Sequence, residues 1–190
     1  MKLGSTMREL EIKIQFDGIG PQDILDALRS HGHEPYATAA QLDHVFAFDR
    51  ADIESPAKGA VVARVRTQGD RNFVTVKVRR SADLDRLEYE TEVVDGSAAR
   101  SILSALRLKE MLQIRKQRWS FRIREGVTVC VDEVDRLGTF VEVEILDHEV
   151  YDRDSQLRDE VEWIARSVGR PPKLIELAYD RMLLMQESSP

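Results

Sequence analysis

Run after run of this sequence alternates apolar and polar residues, and almost every polar slot is a full charge. Arg8 to Gln15 sets Glu9, Glu11 and Lys13 against Leu10, Ile12 and Ile14, the period of two that marks a half-buried strand. Later runs present Arg64 with Arg66, then Lys77 with Arg79, then Arg86, Glu88, Glu90 and Glu92. They are followed by Lys116, Arg118, Arg122 and Arg124, by Asp132, and by Glu142 with Glu144. The opposite faces are strongly apolar (Val74, Val76, Val78; Val129, Val131; Val141, Val143, Ile145) and require a cover. An ordinary sheet shows water a mixture of interchangeable polar residues. Grouped basic pairs on some strands and acidic pairs on others are not explained by solvation alone.

The remaining segments supply the cover. Pro21 opens a helical stretch with Ile24, Leu25 and Leu28 on one stripe and a glycine at its end. An extended segment runs from Glu34 to Phe48, and Asp52 to Gly59 reads as a loop. Val61–Thr67, Asn72–Arg79 and Arg86–Val94 are predicted as consecutive antiparallel strands, with turn residues at Gln68-Gly69-Asp70. A second helix is predicted from Asp95-Gly96-Ser97 to about Leu106. From Glu110 two runs are hinged at Glu125-Gly126, and a last strand spans Thr139 to Leu146. Helices over Asp154–Val168 and Leu174–Met185 are split by Gly169-Arg170-Pro171-Pro172. The fold class is α+β: about eight antiparallel strands with helices outside, expected to close into a barrel because closure removes sheet edges.

A charged barrel interior needs compensation, because a buried unpaired ion costs several kcal/mol. Both signs and a bound ligand or metal are therefore expected. Carboxylates at i and i+2 point the same way, about 7 Å apart, so Glu9 with Glu11 and Glu142 with Glu144 could share a hard cation such as Mg²⁺ or Mn²⁺. Arg and Lys pairs suit phosphate oxygens. Together these features point to an anion of several charges bridged by a divalent metal, as in a polyphosphate or nucleoside triphosphate. The formal charge of -6 argues against a generic nucleic-acid binder. A single cysteine, the absence of an apolar run long enough to span a bilayer and an opening without a signal-peptide core fit a cytoplasmic protein.

Several motifs in order resemble those of the CYTH superfamily, the triphosphate tunnel metalloenzymes, which include class IV adenylate cyclases and thiamine triphosphatases. They are ELEIK (Glu9 to Lys13), ARVR (Arg64, Arg66), TVK (Lys77), RLEYE (Arg86, Glu88, Glu90), KQR (Lys116, Arg118), VDEVDRLGTFVEVE (Asp132, Glu142, Glu144) and a late LAY with Tyr179. The resemblance covers about residues 7–184. It implies a closed eight-stranded antiparallel tunnel, with one domain expected over 7–186; residues 1–6 carry no pattern and are expected to be an unstructured lead or expression remnant. It further implies metal coordination by Glu9, Glu11, Glu142 and Glu144 beside Asp132, and phosphate binding by Lys13, Arg64, Arg66, Lys77, Lys116 and Arg118. Lys13, Lys116, Arg118 and Asp132 become catalytic candidates, with Arg86, Glu88, Glu90 and Tyr179 as possible additions. Ala178 stands where the family often has Ser, so no hydroxyl is offered there. The implied activity is that of a class IV adenylate cyclase converting ATP to cyclic AMP and pyrophosphate with Mg²⁺ or Mn²⁺. Alternatives are hydrolysis of thiamine triphosphate, tripolyphosphate or a nucleoside triphosphate, and a non-catalytic sensor. Related cyclases suggest a homodimer, and no membrane or nucleic-acid partner is expected.

The four histidines, His31, His33, His44 and His148, form no metal-spaced cluster and are expected at the surface or in loops. Cys130 is in phase with Asp132 and reads as a small buried thiol. Trp119, Phe121 and Trp163 are expected in the outer core. The charges at Asp154, Arg158, Asp159, Glu160 and Glu162 are expected to form a solvated helix face.

Overall fold

The computed structural model describes residues 9–80, 86–146 and 153–187, and for Glu9, Leu10, Arg86, Leu146, Arg153 and Asp154 the backbone alone. The expected lead at 1–6 and His148 lie outside the described residues. The elements in chain order are β1 (Glu9–Gln15), α1 (Pro21–Ser30), β2 (Ala37–Ala47), α2 (Ala51–Glu54), β3 (Val61–Gln68), β4 (Arg71–Arg79) and β5 (Arg86–Val93). They continue as α3 (Gly96–Ala105), β6 (Lys109–Arg124), β7 (Val127–Val134), β8 (Gly138–Leu146), α4 (Arg153–Val168), β9 (Lys173–Leu174) and α5 (Tyr179–Glu187).

The sheet has nine strands in the order β5-β4-β3-β2-β6-β7-β8-β1-β9. The expected closed eight-stranded barrel is thereby corrected: the order is open, with β5 and β9 at its ends. Closure was inferred from the need to remove edges, but each edge is blunted another way. Residues Glu88 to Glu92 of β5 are exposed and carry three glutamates, and β9 is two residues long; charge and shortness are both recognised edge protection. The ninth strand also corrects the helix expected from Leu174. Lys173 and Leu174 pair with Gln15 and Ile14 instead, and α5 begins at Tyr179. The loop expected over Asp52–Gly59 likewise begins inside the short α2.

By contacts the described residues fall into two units. The first holds 9–38, 117–134 and 138–176. In it β8 pairs with β7 and β1, so that Val143 lies opposite Val129 and Ile12, and Val141 opposite Val131 and Ile14. That apolar face is covered by α1 and α4. Helix α1 starts with Pro21 at its first turn and an Asp23 carboxylate accepting the Gly20 N–H at 3.1 Å. Its Ile24, Leu25 and Leu28 join Phe121, Leu157 and Ile164 in the core, with Trp119 and Trp163 packed alongside as expected. Each fully buried aliphatic or Phe side chain of this kind contributes about 1.5–3 kcal/mol.

The second unit holds 39–116, 135–137 and 177–187 of the described residues. Here β3 pairs with β2 and β4, and β4 with β5, all antiparallel as the alternation predicted. The β3–β4 turn uses Gly69 at φ +61, a conformation costly for residues with a Cβ. Helix α3 is capped by Asp95, whose carboxylate accepts the Ser97 and Ala98 amides at 2.8 and 3.0 Å. Its Ala99 and Leu103 pack with Phe46, Ala63, Val65 and Leu108 into a smaller core. Helix α5 is tied to α2 by Arg50, which donates to the Leu184 carbonyl at 2.9 Å.

Candidate functional site

In the first unit the charged phase of β1, β7 and β8 gathers opposite to the core. The register places Glu11 directly across from Glu144, and Lys13 across from Glu142. Like charges directly opposite on neighbouring strands are destabilising, so the Glu11–Glu144 pairing requires positive charge nearby. Lys13 Nζ supplies part of it, 3.2 Å from Glu142 and 3.5 Å from Glu11. Arg118 from β6 supplies the rest. Its Nε and Nη2 each donate to Asp132 at 2.6 Å, Nη2 also contacts Glu142, and Nη1 lies 3.6 Å from Glu144. Burial opposes the charge on both cations. Even so, Glu142 and Glu11 hold the Lys13 amine above its usual range, and Glu142 and Asp132 raise the Arg118 guanidinium well above its own.

Ligand oxygens of Glu11, Glu142 and Glu144 lie within 4.8 Å of one another, a group that could hold a metal ion. Counting Lys13 and Arg118 against Glu11, Asp132, Glu142 and Glu144 leaves two cations among four carboxylates, a local charge of minus two. An all-carboxylate donor set of that charge fits a hard divalent cation such as Mg²⁺ or Mn²⁺. Asp132, fully buried, accepts two Arg118 bonds and shares the Nη2 nitrogen with Glu142. Glu9 belongs to the same strand phase on β1, opposite Leu146 in register.

In the second unit the balance reverses. Asp43 on β2 is 3% exposed and accepts both Nε and Nη2 of Arg66, at 2.6 and 2.7 Å, while Arg64 Nη1 lies 3.6 Å away. Burial works against the Asp43 charge, but Arg66 and then Arg64 hold its carboxyl below the usual carboxylate range. Arg64 also donates to Thr75 at 3.1 Å and to Glu90 at 3.4 Å, and its buried Nε has no hydrogen-bond partner among the described residues. Burial and the neighbouring Arg66 pull the Arg64 guanidinium below its normal value. Lys77 pairs with Glu88 at 3.0 Å, and Lys116 Nζ sits 5.1 Å from the centre of the Tyr179 ring. Four cations (Arg64, Arg66, Lys77, Lys116) thus stand against three carboxylates (Asp43, Glu88, Glu90), a charge of plus one.

Each sequence candidate is therefore placed. Lys13, Arg118, Asp132, Glu11, Glu142 and Glu144 meet in the first unit, and Arg64, Arg66, Lys77, Lys116, Glu88, Glu90 and Tyr179 lie in the second. Arg86 is directly opposite Arg79 in register, its side chain outside the description. Asp43 and Thr75 escaped the sequence reading. The available signal was an aspartate midway along an otherwise weakly charged strand, alternating with Gln41 and Val45.

Two of these expectations need revision. His44 is no loop residue: it sits on β2, its side chain 12% exposed, with Nδ1 2.8 Å from Glu110 and Nε2 facing Arg100. Glu160 leaves the solvated face of α4 because it falls between Leu157 and Ile164 on the helix's buried stripe, where Arg124 meets it. His31 and His33 lie past the end of α1 as expected, and flank Trp163 edge-on, each ring centroid 5.5 Å away. Cys130 is buried as expected, and burial pushes its thiol up to about 12. Among the described residues no helix is long and apolar enough to cross a membrane.

Comparison with known proteins places this geometry. A protein of Methanocaldococcus jannaschii provisionally named an adenylate cyclase is 28% identical over 159 residues, covering 82% of this chain and 87% of its own. A conserved hypothetical protein from Pyrococcus furiosus superposes with a TM-score of 0.70 at 23% identity, over 91% of this chain and 98% of that one. A Hippeastrum protein, provisionally an adenylyl cyclase and described as having a dominant triphosphatase activity, superposes with a TM-score of 0.70 at 16% identity, over 96% and 97% of the two chains. The model of the CYTH domain matches residues 7–173, which contain the carboxylate trio together with both of its cations. The chain belongs to the CYTH domain family.

Proposed function

We propose that the chain is a metal-dependent enzyme acting on triphosphates, and that its reaction is the conversion of ATP to cyclic AMP and pyrophosphate. The observation that carries this is the convergence of Glu11, Glu142 and Glu144 to within 4.8 Å, with Lys13 and Arg118 attached. Those three glutamates, with Glu9 by its strand position, would hold Mg²⁺ or Mn²⁺. A cation bound there supplies neutralising charge at the phosphate oxygens. Lys13 and Arg118 would contact phosphate oxygens in the first unit, and Asp132 would fix the orientation of the Arg118 fork. In the second unit Arg64, Arg66, Lys77 and Lys116 would bind phosphate oxygens, with Asp43, Glu88, Glu90 and Tyr179 setting their positions.

Phosphoryl chemistry asks the protein mainly for positioning and for stabilisation of charge. In the cyclase reaction the ribose 3′ oxygen bonds to the α-phosphorus, the bond from that phosphorus to pyrophosphate breaks, and the hydroxyl proton leaves to solvent. The 28% identical relative, by its provisional name, supports this choice. Hydrolysis of a triphosphate by water draws on the same side chains, and the activity described for the Hippeastrum protein favours it as the second reading.

A product assay with ATP, tripolyphosphate and thiamine triphosphate in parallel, each with Mg²⁺ or Mn²⁺, decides. Cyclic AMP with pyrophosphate is the expected result. Orthophosphate release would replace the cyclase by a triphosphatase, and tight binding without turnover would make the protein a sensor.

A further inference from the structure

One exposed aromatic ring of the first unit is left unused by the functions assigned above. Tyr36 is 59% exposed, and the Arg122 guanidinium lies 5.3 Å from its ring centroid, covering one face. Its amide donates to the Ser120 carbonyl at 2.9 Å, which sets Tyr36 beside Ser120 on β6. Ser120 in turn lies 3.6 Å from Cys130, and Cys130 is directly opposite Glu142. Arg118, Ser120 and Arg122 alternate along one face of β6, so the Arg118 and Arg122 backbone positions are about 14 Å apart at ~3.4 Å per residue. That span is comparable with the distance from the phosphates to the base of an extended nucleotide.

We propose that Tyr36, backed by Arg122, is a stacking platform for the nucleobase of the substrate, so that the chain takes nucleoside triphosphates in preference to inorganic ones. This rests on the triphosphate function proposed above and narrows its substrate class. Aromatic rings stack on any base, because every base has a π-face, and a guanidinium adds a cation–π contribution. Two other aromatics are less suited. Tyr89, also exposed, lies opposite Val76 in the apolar phase of β4 and β5, and Phe73, which Arg71 covers, is half-buried.

The test compares dissociation constants for ATP and for inorganic tripolyphosphate, each with Mg²⁺, in wild type, Tyr36→Ala and Tyr36→Phe. Tyr36→Ala is expected to weaken ATP binding about ten-fold or more, to leave tripolyphosphate binding within about two-fold, and to be rescued by Tyr36→Phe. Equal losses for both ligands, no loss for either, or failure of Tyr36→Phe to rescue would overturn the platform while leaving the triphosphate function standing. Failure of wild type to bind either ligand would remove the triphosphate function, and the platform with it. A second readout uses wild type alone: 2-aminopurine riboside triphosphate should lose fluorescence on binding, and undiminished emission from the bound ligand would contradict stacking.

Discussion

In the cluster around Glu142, in the first unit, two cations sit among four carboxylates; in the cluster around Asp43 and Lys77, in the second, four cations sit among three. Both sets lie on the charged phase of antiparallel strands whose other phase builds a core, Val143 and Val141 in one case, Ala63 and Val65 in the other. The strand pattern is shared, and what distinguishes the two clusters is which sign is in excess. An excess of carboxylates suits a divalent cation, and an excess of half-buried guanidinium and ammonium groups suits an anion. Unbalanced charge is costly out of water, and a ligand of the opposite sign would offset that cost in each cluster.

The first way to break this comparison is to remove a carboxylate from the acid-rich set. Glu142→Gln should lower turnover by on the order of 100-fold or more and leave the circular dichroism spectrum unchanged. Near-full activity in that variant would separate Glu142 from the chemistry.

The corresponding change in the second unit acts on stability. Asp43→Ala removes the two bonds that Asp43 accepts from Arg66, and breaking a buried pair from one side costs about 3 kcal/mol, to be read as the shift in a urea unfolding curve. Because the folded Asp43 carboxyl is held below its ordinary value of 3.8, its contribution is complete above that pH and is lost as pH falls through the lower, folded value. Asp43→Asn should therefore flatten the loss of stability below about pH 4, and an unchanged acid limb would show that other groups carry it. A smaller effect is expected at Lys116, where Lys116→Ala should weaken triphosphate binding about ten-fold and monophosphate binding far less. Equal losses would show that the lysine reads one phosphate only.

Much of this was legible in the alternation itself. Lys13, Arg118, Glu142 and Glu144 share a strand phase, and the phase alone assigns them to the face opposite Ile12, Val141 and Val143. Closure was not legible, because a charged strand such as β5 and a two-residue strand such as β9 end a sheet as well as a closing partner does. Nor was the behaviour of β6. Leu112, Ile114 and Lys116 are buried at even positions and Phe121 at an odd one, so the buried phase changes along 16 residues that serve two units. Asp43 was missed because its importance depends on Arg64 and Arg66 of the neighbouring strand, a pairing that local spacing does not contain. Glu160 shows the converse: composition placed it in water, and the helical stripe of Leu157 and Ile164 placed it inside.

The contrast between the units is tested most directly by Mn²⁺ binding followed by electron paramagnetic resonance without nucleotide, in wild type, Glu144→Gln and Lys77→Ala. Saturable binding is expected in wild type and in Lys77→Ala and should be lost in Glu144→Gln. Retention in Glu144→Gln, or equal loss in Lys77→Ala, would contradict the assignment of the metal to the carboxylates of the first unit.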